Sequence, residues 1–225
     1  MSRPLCCVAV AALLAGCDST PDPTDPVAIT GSPSTAAASH RAVDLSRLNP
    51  PLSTNFDWRC QVEADGGPVC LGQGPSTDNT DGWVPEDPEA WVCPGDKLIY
   101  HDLAAQGIGV RHYDSDYRLT DRTVHWFGRD RFSLSPDGSG RTASGELNFF
   151  DSFVYGVPAD ESTITETIRG TDSKAATDQP DHELVFLNKG EVRFTSEGDL
   201  QVLSGRWDFV DDFDGAIQRM CAALQ

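Results

Sequence analysis

Three histidines, His101, His112 and His125, are the side chains in this sequence best suited to bind a metal or transfer a proton. Neutral imidazole is a common metal ligand, and its pKa lies near neutral pH. All three lie beside aromatic residues, in segments where apolar and polar residues alternate as they do in β-strands. They would converge on one metal only if those strands paired in one particular register. We therefore predict hydrogen-bonded rim or surface histidines, no metal site and no cofactor.

Acidic residues crowd residues 208–214, which raises the possibility of a calcium loop. Such a loop needs acids at alternate positions, then glycine, and a glutamate at the twelfth position. With Gly215 as the glycine, Val210 falls in the first position, so the spacing fails. Residues 79–82 come nearer, but Pro88 occupies the place of the glutamate. A capping or solvent-exposed role is the expectation for both stretches.

Motifs for nucleophilic or phosphate chemistry do not occur in the sequence. There is no G-x-S-x-G, H-E-x-x-H, S-x-x-K or P-loop pattern. A pair of acids acting as in glycosidases stays open, because 35 Asp and Glu residues are present and their separations depend on the fold. We assign no catalytic residue, and whether the protein is an enzyme stays open, with a non-catalytic role favoured.

The N-terminus has the three parts of an export signal. Arg3 supplies a positive charge, an uncharged apolar stretch follows from Leu5 to Ala15, and the small residues Ala15 and Gly16 precede Cys17. The apolar stretch is far shorter than the roughly 20 residues of a membrane-spanning helix. The run Leu14-Ala15-Gly16-Cys17 resembles the lipobox of bacterial lipoproteins.

This resemblance implies a processing route and an address. Residues 1–16 would be removed as a signal peptide, and lipid on the Cys17 thiol would hold the protein at the extracytoplasmic side of the cell membrane. Residues 17–45 are rich in Pro, Ser, Thr and Ala and contain no aromatic residue. Such a segment buries too little apolar surface to offset the entropy of ordering. We predict a disordered tether over 17–45 and a single domain over 46–225.

Four cysteines remain after the predicted processing, because Cys6 and Cys7 leave with the signal peptide and Cys17 takes lipid. An even number of cysteines in an exported domain predicts two disulfides. Three connectivities are possible. We favour one pair that brackets a turn and a second pair that would fix the C-terminal segment. No zinc-type spacing occurs. The favoured pairs are Cys60–Cys70 and Cys93–Cys221.

The charge balance is strongly acidic, at −18. Removal of residues 1–16 takes away Arg3 and no acid, so the mature charge is near −19. This charge repels phosphate backbones, which excludes nucleic acid as an expected partner. Solubility is its simplest explanation, and the oligomeric state stays undetermined.

Period-two alternation dominates the body of the chain, as in Leu147-Asn148-Phe149 and around Trp207 and Phe209. Alternation of this kind indicates strands with one buried face. Predicted turns lie at 65–68, 135–138, 188–190 and 196–199. The fold class is therefore mainly β: an antiparallel meander closed as a lipocalin-like barrel or folded as a sandwich.

Two segments depart from this pattern. Apolar residues after Asp212 recur at helical spacing through Leu224, which predicts one C-terminal α-helix capped by Asp211 or Asp212. Residues 71–92 are rich in Gly and Pro, and we predict a long loop there with one short helix at Pro88–Trp91.

The body also resembles a set of secreted actinobacterial proteins of unknown function. The residues that carry this resemblance are Cys93-Pro94-Gly95, Gly190-Glu191-Val192-Arg193-Phe194, Ser204-Gly205-Arg206 and Cys221-Ala222-Ala223-Leu224. The resemblance extends across 56–225, and it implies no catalytic residue.

Three functions compete. The first is an envelope module that binds a small ligand or another envelope protein. The second is an extracytoplasmic hydrolase that uses a carboxylate pair or histidines, and the third is a structural surface protein. An apolar cavity lined by Trp or Phe would favour the first, a cleft with two acids about 5–9 Å apart the second, and a filled core the third.

Overall fold

The computed structural model describes residues 42–63 and 66–225. Short 3₁₀ helices span Leu45–Arg47 and Glu161–Thr163, and two α-helices follow the last strand, α1 (Asp208–Asp211) and α2 (Phe213–Leu224). The strands are β1 (Asp57–Val62), β2 (Pro68–Pro75), β3 (Val84–Pro85), β4 (Val92–Cys93), β5 (Lys97–Leu98), β6 (Tyr100–Tyr113), β7 (Leu119–Ser133), β8 (Thr142–Tyr155), β9 (Ile164–Thr177), β10 (Leu184–Phe194) and β11 (Leu200–Trp207).

One antiparallel sheet of nine strands forms the body of the protein. Its order is β1-β2-β6-β7-β8-β9-β10-β11, with β3 added beside the start of β6, while β4 and β5 form a separate hairpin. Within the described residues, β1 and β11 are not paired with each other, so the sheet is not closed as a barrel. The mainly β class with a C-terminal helix is thus confirmed, and the barrel alternative is wrong.

Strand pairing gives the sheet two distinct faces, because residues opposite each other share a face. The inner face carries Gly107, Trp126 and Phe149, which lie in one row. The outer face carries the neighbouring row of Ile108, His125 and Phe150. The outer face leaves several large apolar side chains exposed: Leu71, Ile108, Phe127 and Phe150.

Two hydrophobic clusters occupy opposite ends of the inner face. The helix-end cluster packs α2 against β8 and β10, with Phe132, Phe186 and Met220 nearly inaccessible to solvent. The other cluster forms around Leu48, Tyr113 and Leu119 at the opposite strand ends. The middle of the inner face therefore lies between two apolar anchors.

The C-terminal helix follows its sequence pattern. Helix α2 buries Ala216, Ile217, Met220, Cys221 and Leu224 on one side. Asp212 precedes it and accepts a hydrogen bond from the Gly215 N–H, which satisfies one of the free donors of the first turn. The predicted helix and its cap at Asp212 are confirmed.

Two local predictions are wrong. Residues 188–190 form no turn but lie inside β10, where Gly190 has φ +136° and a Cβ would approach the Ser204 carbonyl oxygen to 2.1 Å. Glycine thus serves close strand packing there rather than a hairpin. In the region predicted as a loop, β2 continues to Pro75, and Pro88–Trp91 form a hydrogen-bonded turn rather than a helix.

The cysteine pairs lie at disulfide distance in the pairing that the sequence favours. Cys60 and Cys70 are opposite each other on β1 and β2 and are bonded at 2.02 Å. Cys93 on β4 and Cys221 on α2 are bonded at 1.99 Å. The second bond links the small β4–β5 hairpin to the C-terminal helix.

The predicted signal peptide and Cys17 lie outside the described residues. The C-terminal end of the predicted tether falls within them: Val43 packs against the cluster around Leu48, and a 3₁₀ helix begins at Leu45. In the described part of the chain, no helix is both long enough and apolar enough to cross a membrane.

Candidate functional site

A cavity of about 220 Å³ opens on the middle of the inner face, between the two hydrophobic clusters. We call it the aromatic cavity, because four of the residues around it are aromatic. It is lined by Ser53, Asn55, Phe56, Trp58, Thr77, Arg111, Arg122, Val124, Trp126, Asp151 and Phe153.

The aromatic walls are positioned by contacts between rings, and glycines in the strands beneath them leave room for the rings. Phe56 stacks on Trp58 at 5.2 Å between ring centroids and meets Trp126 edge-on at 6.0 Å. A Cβ at Gly72 would approach the Trp58 ring to 2.5 Å, and one at Gly107 would approach the Trp126 ring to 2.6 Å. Glycine at these strand positions therefore lets the indole rings lie close to the sheet.

Two arginines stand opposite each other beside these walls. Arg111 on β6 is paired with Arg122 on β7, so both project from the inner face. The Arg111 guanidinium lies 5.1 Å from the Trp58 ring centroid and donates to the Pro51 carbonyl at 3.0 Å. The Arg122 guanidinium lies 4.0 Å from the Phe153 ring centroid. Stacking on aromatic faces orients both cations.

Next to Arg122 lies Asp151, which belongs to a cluster of three interacting acids with Glu166 and Asp172. Burial, together with the charge and hydrogen bond of Glu166, raises the pKa of Asp151 to about 8, although Arg122 opposes the shift. Burial also raises the pKa of Asp172. Asp172 has no partner residue on β10, because the register shifts between Ser173 and Thr171. A bulge of this kind changes the direction of the side chain. Asp151 is therefore mainly protonated at neutral pH.

Several polar atoms at this site are buried and have no partner within the described structure. They include Nε of Arg122 and Oδ1 of Asp151, both on residues that line the aromatic cavity, and the hydroxyl of neighbouring Tyr155. A buried polar group without a hydrogen bond costs about 1–3 kcal/mol. Such atoms mark places where a bound molecule or water would complete the hydrogen bonding.

Larger depressions exist but lack this combination. An open groove of about 880 Å³ lies on the outer face and is lined mainly by hydroxyl and charged side chains around Phe150. A cleft of about 500 Å³ lies between residues 177–185 and α2. Neither is lined by an unpartnered buried polar atom among those found in the described residues. The aromatic cavity is therefore the best candidate site.

His101 belongs to a separate cluster on the inner face. Its Nδ1 lies 2.8 Å from Glu86 Oε2 and 3.4 Å from Asp130 Oδ1. Burial alone would lower the pKa of His101, but hydrogen bonds to the two acids raise it to about 9. Burial raises the pKa of Asp130. The contact between the His101 imidazolium and Glu86 thus connects the segment after β3 to the sheet.

The other two histidines do not join it. His112 and His125 lie on the outer face, where His112 Nδ1 is 2.6 Å from Asp121 Oδ1 and His125 Nε2 is 2.8 Å from Asn148 Oδ1. In the described residues, no group of three or more His, Cys, Asp or Glu side chains is arranged to hold a metal ion. The histidines are therefore distributed over two faces of the sheet.

The acids at 208–214 serve the fold. Asp208 is buried and accepts hydrogen bonds from Arg206 at 2.6 Å and from the Leu187 N–H at 3.0 Å, and Arg206 lowers the pKa of its carboxyl. Asp212 caps α2. In the other stretch considered for calcium, the Asn79 side chain bonds both backbone groups of Ala105. Each of these contacts is structural.

Comparison of the chain with models of protein families, with curated proteins and with solved structures found no match. The geometry of the sheet and of the aromatic cavity therefore carries the functional argument.

The main residues of the cavity were not predicted from the sequence. Alternation in β7 does place Arg122, Val124 and Trp126 on one face, which is a signal that could have been used. The partners of that face on β6 and β8 depend on strand register, which alternation does not specify.

Proposed function

We propose that this protein is a non-catalytic binding module whose inner-face aromatic cavity takes a small ligand. The observation that carries the proposal is the pairing of aromatic walls with buried, unpartnered polar atoms of Arg122 and Asp151. Ligand sites in proteins are typically concave and mostly apolar, with a few polar groups that fix orientation. At about 220 Å³ the cavity suits a compact molecule.

The scaffold supports this role because the site lies on paired strands rather than on loops. The three strands β6, β7 and β8 are joined by continuous pairing through the cavity region. Hydrophobic clusters fix both ends of these strands. A site held by rigid elements keeps its geometry in the absence of ligand, which reduces the entropy lost on binding.

The test is a screen for compact ligands by ligand-observed NMR, with two tryptophan substitutions as matched variants. Val124→Trp fills the cavity, because Val124 lines it on β7. Ile108→Trp adds the same bulk on the exposed outer face. We expect ligands that bind the parent and Ile108→Trp but are lost in Val124→Trp. Ligands that bind all three proteins equally would place the binding site elsewhere.

A second candidate function is an extracytoplasmic hydrolase, favoured by one observation. Asp151 has a pKa of about 8 and shares a hydrogen bond with Glu166, so the two carboxyls form a proton-sharing pair. That contact is shorter than the roughly 5–9.5 Å separation used by glycosidases. Assays with chromogenic ester, peptide or glycoside substrates separate the two functions: a hydrolase would turn them over and lose turnover in Asp151→Asn, whereas a non-catalytic binding module would turn over none of them.

We also propose that the module is held at the extracytoplasmic face of the cell membrane by lipid on Cys17. The lipobox-like run before Cys17 supports this address, and the two cysteine pairs at disulfide distance suit an oxidising compartment. A tethered binding module would present its cavity to solutes or envelope components outside the cytoplasm.

A further inference from the structure

We infer that the ligand of the aromatic cavity is a small organic carboxylate, whose anionic group binds at Arg111 and Arg122 and whose apolar body contacts Phe56 and Trp126. The inference rests on the proposed binding function and specifies its ligand class.

The charge arrangement is the first argument. Arg111 and Arg122 are directly opposite on neighbouring strands, and like charges in that position repel each other. Among the described residues, neither guanidinium has a carboxylate oxygen within 4.0 Å. Other arginines are neutralised by an acid, since Arg206 and Arg219 both pair with Asp208. An anion between the two guanidiniums would relieve the repulsion.

The free donors are the second argument. Nε of Arg122 is buried and has no partner, so one N–H of the guanidinium fork is available. Asp151 is mainly protonated at neutral pH, because burial and Glu166 raise its pKa to about 8. Its proton is shared with Glu166, so Asp151 stands beside Arg122 without a full negative charge that would compete with an anionic ligand. The cavity thus presents donors and positive charge to a ligand that must supply acceptor oxygens.

The size and charge of the site favour a carboxylate over a phosphate ester. The acids Asp151, Glu166 and Asp172 interact electrostatically with one another next to Arg122. A dianion would be repelled more strongly by these groups than a monoanion. The aromatic edges of Phe56 and Trp126 provide an apolar surface for the remainder of a compact ligand.

Calorimetric titrations with benzoate, phenylacetate and hexanoate test the inference, with benzamide and phenyl phosphate as the neutral and dianionic comparisons. We expect at least one carboxylate to bind at least about tenfold more tightly than benzamide, as is typical for a charge-assisted bidentate contact. Phenyl phosphate should bind more weakly than the best carboxylate. Tryptophan fluorescence, to which the cavity residues Trp58 and Trp126 contribute among five tryptophans, supplies an independent signal of binding.

Arginine variants assign the effect to the pair. Arg122→Gln and Arg111→Gln should each weaken carboxylate binding about tenfold or more while leaving benzamide binding unchanged. Arg122→Lys should bind the carboxylate more tightly than Arg122→Gln but more weakly than the parent, because lysine keeps the positive charge and lacks the bidentate guanidinium. Arg169→Gln on the outer face removes the same charge away from the cavity and should bind like the parent. Circular dichroism shows whether each variant is folded.

The outcomes separate this inference from the proposed function. Neutral compounds that bind as tightly as the carboxylates, and are lost in Val124→Trp, would overturn the anion inference and leave the binding function standing. Preference for phenyl phosphate would overturn the choice of a monoanion. Absence of cavity binding by every compound of the wider screen would overturn the binding function itself.

Discussion

Gly107 on β6 lies directly opposite Trp126 on β7, and the indole ring occupies the space where a side chain at residue 107 would begin. A Cβ there would stand 2.6 Å from the ring of Trp126 and 2.9 Å from that of Phe56. Gly107→Ala should therefore displace both rings and destabilise the fold by about 1–3 kcal/mol, as overpacking typically does. Urea denaturation followed by circular dichroism measures the change.

A matched control lies two residues further along the same face. A Cβ at Gly109 would meet its nearest neighbour, Phe56, at 3.4 Å, which is an ordinary contact. Gly109→Ala should leave the free energy of unfolding within about 0.5 kcal/mol of the parent. Equal destabilisation of the two variants would show that the ring contacts do not make Gly107 special.

The two cysteine pairs should differ in their contribution to stability. In the chain-entropy account, closing a longer loop removes more freedom from the unfolded chain. The separations are 10 residues for Cys60–Cys70 and 128 for Cys93–Cys221. Replacing the second pair by alanines should cost about 5 kcal/mol and replacing the first about 3 kcal/mol. Urea midpoints of the two double variants measure the order, and the reverse order would contradict the loop-length account.

Features that depend on local pattern or on counting were predictable from the sequence. Alternation gave the strands, helical spacing located α2 with its cap at Asp212, and the number of cysteines favoured two pairs. Each of these follows from residues close in sequence or from chemistry that tolerates few alternatives.

Features that depend on register were not predictable in the same way. Arg111 and Arg122 meet because β6 and β7 pair in one register, which shifts at a bulge beside Tyr113. The turn predicted at 188–190 was wrong because a glycine in a strand interior has the same sequence appearance as a turn glycine. Closure as a barrel likewise depends on whether the first and last strands meet.

The stability of the protein should fall as the pH rises from about 6.5 to about 9. His101 has a pKa raised from 6.5 to about 9, so the folded state holds a proton that the unfolded state releases in this interval. The contribution of the imidazolium, faced by Glu86 and Asp130, is complete below the unfolded pKa and is lost through the folded pKa. The pKa of Asp151, raised to about 8, acts in the same direction in the lower part of this interval.

Unfolding titrations of the parent and of His101→Gln measure this effect. The variant should lose less stability between about pH 6 and about pH 9.5 than the parent. His125→Gln, which alters a histidine on the outer face, should keep the slope of the parent. A parent slope of zero over the interval would contradict the assignment of a protonated His101 to the folded state.

Asp208 should be the most sensitive of the acids near the C-terminal helices. Its carboxylate is buried and pairs with Arg206 and Arg219 while accepting from the Leu187 N–H. Asp208→Asn keeps the shape but removes the charge, and should cost about 1–3 kcal/mol. Asp211→Asn, in the same short helix but exposed, should stay within about 0.5 kcal/mol of the parent in thermal unfolding. Equal losses would mean that the ion pairs contribute nothing specific.

The proposed lipid anchor predicts a difference between two cysteines of the N-terminus, Cys17 and Cys7. Cys17→Ala removes the thiol that would carry lipid, so the protein should leave the membrane fraction, since stable anchoring needs buried acyl chains. Cys7→Ala changes a residue of the predicted signal peptide and should fractionate like the parent. Intact mass of the purified parent should correspond to a chain that begins at Cys17 with added lipid. Full retention of the Cys17→Ala protein in membranes would show that another feature holds it there.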